Sequence, residues 1–272
     1  MTPPTKEGTI MGQRTEYKPG TFCWPELATT DASAAKQFYG DLMGWQAIDM
    51  PTEQGSYTFW QLDEKTIGAM YPLTAEQREH SIPPHWICYV SVTDLDASLK
   101  KLTSLGGSVS LGPHEVGEAG RMAFVQDPQG ANFALWQPLN NAGAEIVNEP
   151  GTLCWNELAT TDAAAAEKFY SELFGWTAQT EDMSMGPYTV FSNGDQAAGG
   201  VMQMNEEWAD IPPHWMTYFS VADTDAECEK IKSLGGSVCV EPFYVPEVGK
   251  LAVINDPQGA TFSIIKLDAP DP

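Results

Sequence analysis

Gly20–Trp45 reads GTFCWPELATTDASAAKQFYGDLMGW, and Gly151–Trp176 reads GTLCWNELATTDAAAAEKFYSELFGW. Of the 26 aligned positions 18 are identical, at an offset of 131. The offset then becomes 129, and the matches continue in order: Ile82-Pro83-Pro84-His85-Trp86 with Ile211-Pro212-Pro213-His214-Trp215, Leu105-Gly106-Gly107-Ser108-Val109 with Leu234-Gly235-Gly236-Ser237-Val238, and Asp127-Pro128-Gln129-Gly130-Ala131 with Asp256-Pro257-Gln258-Gly259-Ala260. Two copies of this length mean duplicated domains rather than a stack of short repeats. The expected division of the 272 residues is a flexible N-terminal arm (1–16), a first domain (17–138), a polar linker (139–150) and a second domain (151–268).

Each half divides again. Thr21–Thr29 has the β-branched, alternating look of a strand. Asp31 is placed to cap a helix in which Ala35, Phe38, Tyr39 and Leu42 form one apolar face, and Gly44 is placed to end it. Tyr57–Leu62 and Thr66–Tyr71 read as strands. The pattern then restarts: a strand at Trp86–Val92, a helix capped by Asp94 or Asp96 with Leu95, Leu99 and Leu102 on one face, then strands at Val109–Leu111, Arg121–Gln126 and Asn132–Gln137. A tight Asp127-Pro128-Gln129-Gly130 turn precedes the last strand. The fold class is α+β, with strand–helix–three strands (βαβββ) written four times along the chain.

Composition narrows the function. The 14 Lys and Arg against 37 Asp and Glu leave a net charge of −23, which repels nucleic acid and anionic membrane surfaces alike. No stretch approaches the roughly 20 apolar residues of a membrane span, and the polar segment Met1–Lys18 has no signal-length apolar run. The five cysteines include no CxxC, so reduced, mostly buried thiols in a cytoplasmic protein are expected.

Asp31, Ala35, Phe38, Tyr39 and Gly44-Trp45, followed by Asp94-Leu95-Asp96-Ala97, Leu105-Gly106-Gly107 and Asp127-Pro128-Gln129-Gly130, resemble the vicinal oxygen chelate superfamily, which includes glyoxalase I, extradiol dioxygenases and bleomycin resistance proteins. The CWxEL, PPHW, VGR and DPxGA segments look like the tandem-domain glyoxalase-like proteins labelled hydroxylases by similarity. The resemblance covers Tyr17 to about Leu267. It implies four βαβββ units forming two glyoxalase-like domains, with mixed sheets lining a cleft in each. It also implies metal ligands on three cleft-facing strands. Those positions hold Trp24, Ile87 and Ala134 in the first half and Trp155, Met216 and Ser263 in the second, none of them a usual ligand. No metal and no cofactor is therefore expected at the family's place.

Strand parity says what replaces the metal site. If Trp24 faces the cleft, so do Glu26, and His85, Tyr89, Asn132 and Trp136 from neighbouring strands; the second half offers Trp155, Glu157, His214, Tyr218 and Ser263. That makes an aromatic-walled pocket with few polar groups, suited to a small apolar or aromatic molecule. Glu26 and Glu157 are the candidate catalytic residues, because a carboxylate among aromatic rings loses hydration and becomes a better-matched acid or base near neutrality; the structural alternative is a carboxylate that merely ties strands together. By the same parity Cys23 and Cys154 should point away from the cleft as small buried hydrophobes.

Three functions follow: a metal-independent isomerase, lyase or hydratase using the pocket Glu; a small-molecule binding or sequestering protein; and a metal-dependent glyoxalase or dioxygenase-type enzyme whose ligands have moved, with Glu26 and His85 as the displaced pair. The partner expected is a small-molecule ligand, with the chain a monomer of two domains or a homodimer.

Overall fold

A computed structural model describes residues 12–52, 55–183, 186–208 and 211–268. The first domain runs β1 (Phe22–Thr29), α1 (Ala32–Met43), β2 (Gln46–Thr52), β3 (Gly55–Leu62), β4 (Lys65–Pro72), α2 (Ala75–Glu79), β5 (His85–Ser91), α3 (Leu95–Ser104), β6 (Ser108–Val116), β7 (Gly120–Gln126) and β8 (Asn132–Pro138). The second repeats it as β9 (Leu153–Thr160), α4 (Ala163–Phe174), β10 (Thr177–Met183), β11 (Gly186–Asn193), β12 (Gln196–Gln203), β13 (His214–Ser220), α5 (Thr224–Ser233), β14 (Ser237–Val245), β15 (Gly249–Asn255) and β16 (Thr261–Leu267), with a 3-10 turn at Glu206–Trp208 where the first domain has α2. The caps are as expected: Asp31, Asp94, Asp162 and Asp223 each accept a backbone N–H three residues on. Gly44 and Gly175 close α1 and α4 at φ values of 74° and 77°, open to glycine at no steric cost.

Each domain is one curled eight-stranded mixed sheet, in the order β2-β3-β4-β1-β5-β8-β7-β6 and its counterpart β10-β11-β12-β9-β13-β16-β15-β14. The two βαβββ units of a domain join through the antiparallel pairs β1–β5 and β9–β13, while β1–β4 and β5–β8 are parallel within their units. The edge strand β2 carries mostly exposed residues and a proline, so it lacks the half-buried alternation that reveals the inner strands.

The helix-bearing faces of the two sheets pack on each other. One shared core joins Leu95, Leu99 and Leu102 of α3 to Phe169, Tyr170 and Leu173 of α4; the other joins Phe38, Tyr39 and Leu42 of α1 to Cys228 and Ile231 of α5. The polar contacts repeat with the pseudo-two-fold symmetry. The Tyr39 hydroxyl donates to Asp256 (3.0 Å) and accepts from the Trp86 indole (3.1 Å); Tyr170 donates to Asp127 (3.0 Å) and accepts from Trp215 (2.9 Å). The Trp45 and Trp176 indoles donate to the carbonyls of Gly151 and Gly20, both at 2.8 Å.

The segments flanking the first domain also pair. Gln13 forms a β-bridge with Ile146, and the Ala144 and Glu145 amides donate to the carbonyls of Cys23 and Thr66. Residues 1–11 of the expected arm lie outside the described residues. With the helices buried between the sheets, the opposite, concave face of each sheet is left to form a cleft.

Candidate functional site

Register places the first cleft's residues. Trp24 lies opposite Tyr89 and Glu26 opposite Ile87, while Glu26 also pairs with Ala69 of β4 and Tyr89 with Ala134 of β8. Directly paired residues share a sheet face, so all of these line the concave side. The Glu26 carboxylate accepts one phenol on each oxygen, Tyr57 at 2.5 Å and Tyr89 at 2.6 Å. In the second cleft Tyr188 and Tyr218 do the same to Glu157, both at 2.8 Å, and the Trp155 indole donates to the Tyr188 hydroxyl at 3.0 Å. The result in each half is a carboxylate clamped between two phenols beside an indole.

Burial raises the pKa of both carboxyls, and the phenol hydrogen bonds pull back against that rise. The four clamping phenols are pushed well above 10 by burial first and by the adjacent carboxylate second, so at neutral pH they keep their protons and donate to it. Tyr71, further along β4, is pushed up to about 12 for the same two reasons. Among the described residues no cation offsets the carboxylate charge: the hydrogen-bond partners are phenols.

The remaining sequence-predicted residues are spread along the clefts. His85 opens β5 opposite Ala28, two pairing steps beyond Ile87 and Glu26. Its Nδ1 lies 2.8 Å from the Pro83 carbonyl, which can only accept, so Nδ1 carries the proton and Nε2 is the free acceptor of the neutral ring. Burial lowers its pKa, opposed by that carbonyl. His214 makes the matching bond to Pro212 at 2.9 Å, with the Trp208 ring 6.3 Å away. Trp136 is buried and donates to the Asn141 carbonyl at 2.9 Å, whereas Asn132 is exposed at the start of β8. Ser263 is wholly buried opposite Tyr218.

Two features escaped the sequence reading. Tyr57 and Tyr188, the second member of each clamp, sit on β3 and β11, and their matching places after Gly55 and Gly186 were the available signal. The parity assigned to Cys23 is corrected by a β-bulge: the register slips between Phe22 and Trp24, so Cys23 packs in the same cluster as Trp24, Ile87, Tyr89 and Trp136. The equivalent slip in the second half leaves Cys154 half-buried beside Trp155.

The donors present do not fit the family's metal. Of the six ligand positions only Met216 and Ser263 carry an atom able to coordinate, a soft thioether and a neutral hydroxyl that are not the family's His and carboxylate, and among the described residues no three His, Cys, Asp or Glu side chains converge on a point. The displaced pair is also apart: His85 is two residues from Ile87, the residue opposite Glu26, roughly 7 Å along the strand. A groove of about 490 Å³ lies beside the first cleft, but its walls are Arg14, Gln61, Asn141 and Glu145, and only Phe59 belongs to the aromatic lining.

Comparison with known proteins agrees with this geometry. The family described as the Glyoxalase/Bleomycin resistance protein/Dioxygenase superfamily matches residues 21–135 and again 155–264. A Mycobacterium tuberculosis protein named "Putative glyoxylase CFP32" is 41% identical over 259 residues, covering 94% of this chain and 98% of that protein. "Anthracycline biosynthesis protein DnrV" of Streptomyces peucetius is 33% identical over 264 residues, covering 93% and 95%. Among solved structures, the Mn(II)-bound glyoxalase from Novosphingobium aromaticivorans superposes with a TM-score of 0.62 at 12% identity, covering 93% of this chain and 86% of that one, a likeness of fold alone.

Proposed function

Because the chain belongs to the Glyoxalase/Bleomycin resistance protein/Dioxygenase superfamily, and carries a phenol-clamped carboxylate beside positions where that fold holds a metal, we propose that it binds a small, largely apolar or aromatic carbonyl compound and moves a proton on it with Glu26 or Glu157. The observation that carries this is the Tyr–Glu–Tyr group, present twice with both carboxylate oxygens held by phenols. Such a group suits isomerisation, elimination or hydration next to a carbonyl. The carboxylate takes a proton from carbon, and a phenol, protonated at every physiological pH, donates a hydrogen bond to the oxygen on which charge develops. The relatives' names lean the same way. One is named for glyoxylase activity, and the other for making anthracyclines, which are fused aromatic rings bearing carbonyls.

Exchange of the α-protons of 2-tetralone in D₂O, followed by NMR, tests this without knowing the natural substrate. The wild-type chain should accelerate exchange, and Glu26→Gln/Glu157→Gln should not. An undiminished rate in the double variant, with the fold intact by circular dichroism, would refute proton transfer by these groups.

One observation favours binding without turnover. Each carboxylate oxygen already accepts a phenol whose single O–H is spent on it, so a ligand meets ring faces and acceptor lone pairs rather than an unengaged base. Stoichiometric binding with the ligand recovered unchanged would select this reading.

A further inference from the structure

We infer that the two clefts have parted roles: the second domain's cleft receives the ligand, a neutral planar aromatic carbonyl compound, and the first is a filled copy that holds the structure together. This rests on the small-molecule reading above and adds which half carries it.

Position by position, the first cleft is packed where the second is relieved. Trp136, Phe124, Phe59 and Tyr71 of the first correspond to Ile265, Val253, Val190 and Met202 of the second, each at the same place in the sheet register. Others change the other way, half-buried Phe243, Val248 and Leu267 standing where the first domain has His114, Ala119 and Pro138. Ten buried apolar residues form the first cleft's cluster, including Ala144 and Val147 from the linker, with Tyr17 against them; three form the second's. Exposure follows. Glu26 and Trp24 keep only 4% and 6% of their surface, whereas Glu157 and Trp155 are half-buried.

The floor of the second cleft holds an independent mark. Ser263 occupies the position of Ala134, on the cleft side between Tyr218 and Val253. Its residue is 0% exposed, and its hydroxyl lies near the Tyr218 phenol without completing a hydrogen bond. A buried hydroxyl left without a partner costs stability, and a ligand carbonyl brought into the site would accept from it. Opposite Glu157 stands Met216, where the first domain has the branched Ile87; an unbranched thioether adapts to a ligand more easily. The chemistry of the lining then names the ligand class. Trp155 offers a ring face and Ser263 a hydroxyl donor, Tyr188 and Tyr218 spend their own O–H groups on Glu157, and that carboxylate in a chain of net charge −23 discourages an anion.

Equilibrium binding of 1,4-dihydroxyanthraquinone to the full chain, read by its visible absorbance, tests the assignment. One equivalent should bind per chain. Ile265→Trp, which restores the first domain's ring, should weaken it at least ~100-fold, and Ser263→Ala, which alters no packing volume of consequence, about fivefold to tenfold. Thermal unfolding of both variants separates lost binding from lost fold, and Ser263→Ala keeps the test open if Ile265→Trp does not fold. Two equivalents per chain, or one that survives both substitutions, would overturn the division of roles while leaving the small-molecule reading in place. No saturable binding by the wild type would overturn both.

Discussion

Replacing Glu26 by Gln should make the protein more stable, and increasingly so as pH rises. Glu26 is 4% exposed, accepts phenols at 2.5 and 2.6 Å and has no cation beside it. Burial raises its folded-state pKa, and the phenols only reduce the rise. Above the unfolded carboxyl value of about 4.3 the unfolded chain releases a proton that the native state retains, so stability drops with pH. One proton sets the steepest slope at about 1.4 kcal/mol per pH unit. The contribution is fully present below the unfolded pKa, is lost as pH climbs through the folded pKa, and is constant beyond it. Glutamine has no such titration; its carbonyl accepts one phenol and its amide donates to the other. Glu157, Asp127 and Asp256 also have raised values, so the wild-type curve mixes several groups of one sign. The difference between Glu26→Gln and wild type isolates one. Urea unfolding from pH 4.5 to 8.5 should give a stability difference that grows in favour of the variant and then levels. A difference independent of pH, or one that shrinks as pH rises, would refute a buried carboxylate of raised pKa.

Tyr170→Phe should cost about 2–4 kcal/mol in the same unfolding assay, because it strands the buried Asp127 oxygen and the Trp215 indole together, and Tyr39→Phe should match it through Asp256 and Trp86; a loss under ~1 kcal/mol would show these bonds to be replaceable. Gly200→Ala sets a methyl against the Tyr188 hydroxyl, so the phenol must shift, as Tyr57 is set beside Ala69 while still bonded to Glu26; a cost of about 1–3 kcal/mol is expected, with a change in the near-ultraviolet tyrosine signal, while Ala69→Gly at the matching place in the first domain leaves its phenols in position. The His85 ring protons, followed by NMR, should titrate with a midpoint below the ordinary value of about 6.5, since burial disfavours the cation; a midpoint at or above it would place the ring in solvent.

The duplication, the four βαβββ units and the helix caps were legible because each depends on local pattern: apolar spacing at Ala35, Phe38, Tyr39 and Leu42, an Asp before each helix, a glycine after α1 and α4. Strand β2 was not, because an exposed edge strand has no buried face to impose alternation on its sequence. Parity found Trp24, Glu26 and Tyr89 because β1 and β5 are regular from Trp24 onward, and it misplaced Cys23 because a bulge adds a residue without a signature in composition. Tyr57 lay beyond it for another reason: its meeting with Glu26 depends on β4 lying between β1 and β3, a long-range pairing that no local pattern encodes.

Residues shared by the two halves fall into two groups with different physical causes. The Phe-Tyr pairs, the Gly-Trp pairs, Trp86 with Trp215 and the Asp-Pro-Gln-Gly turns all meet the opposite domain, through Tyr39–Asp256, Tyr170–Asp127 and the indole–carbonyl bonds. Around a pseudo-two-fold axis the same surface contacts its own copy, so an unmatched change in one half loses a buried partner in the other. The clefts face away from that axis and are free of this constraint, and they have diverged at Ala134/Ser263, Trp136/Ile265, Phe124/Val253 and Phe59/Val190. Against that divergence the Trp, the Glu and both clamping Tyr remain the same in the two halves, although none of them touches the other domain's counterpart. Packing between domains accounts for the first group and has no hold on the second. A buried carboxylate with two phenols is a costly way to join three strands, since apolar residues of similar volume would join them without desolvating a charge. Its retention in the second cleft, otherwise free to change, accords with the proposed role in chemistry or recognition.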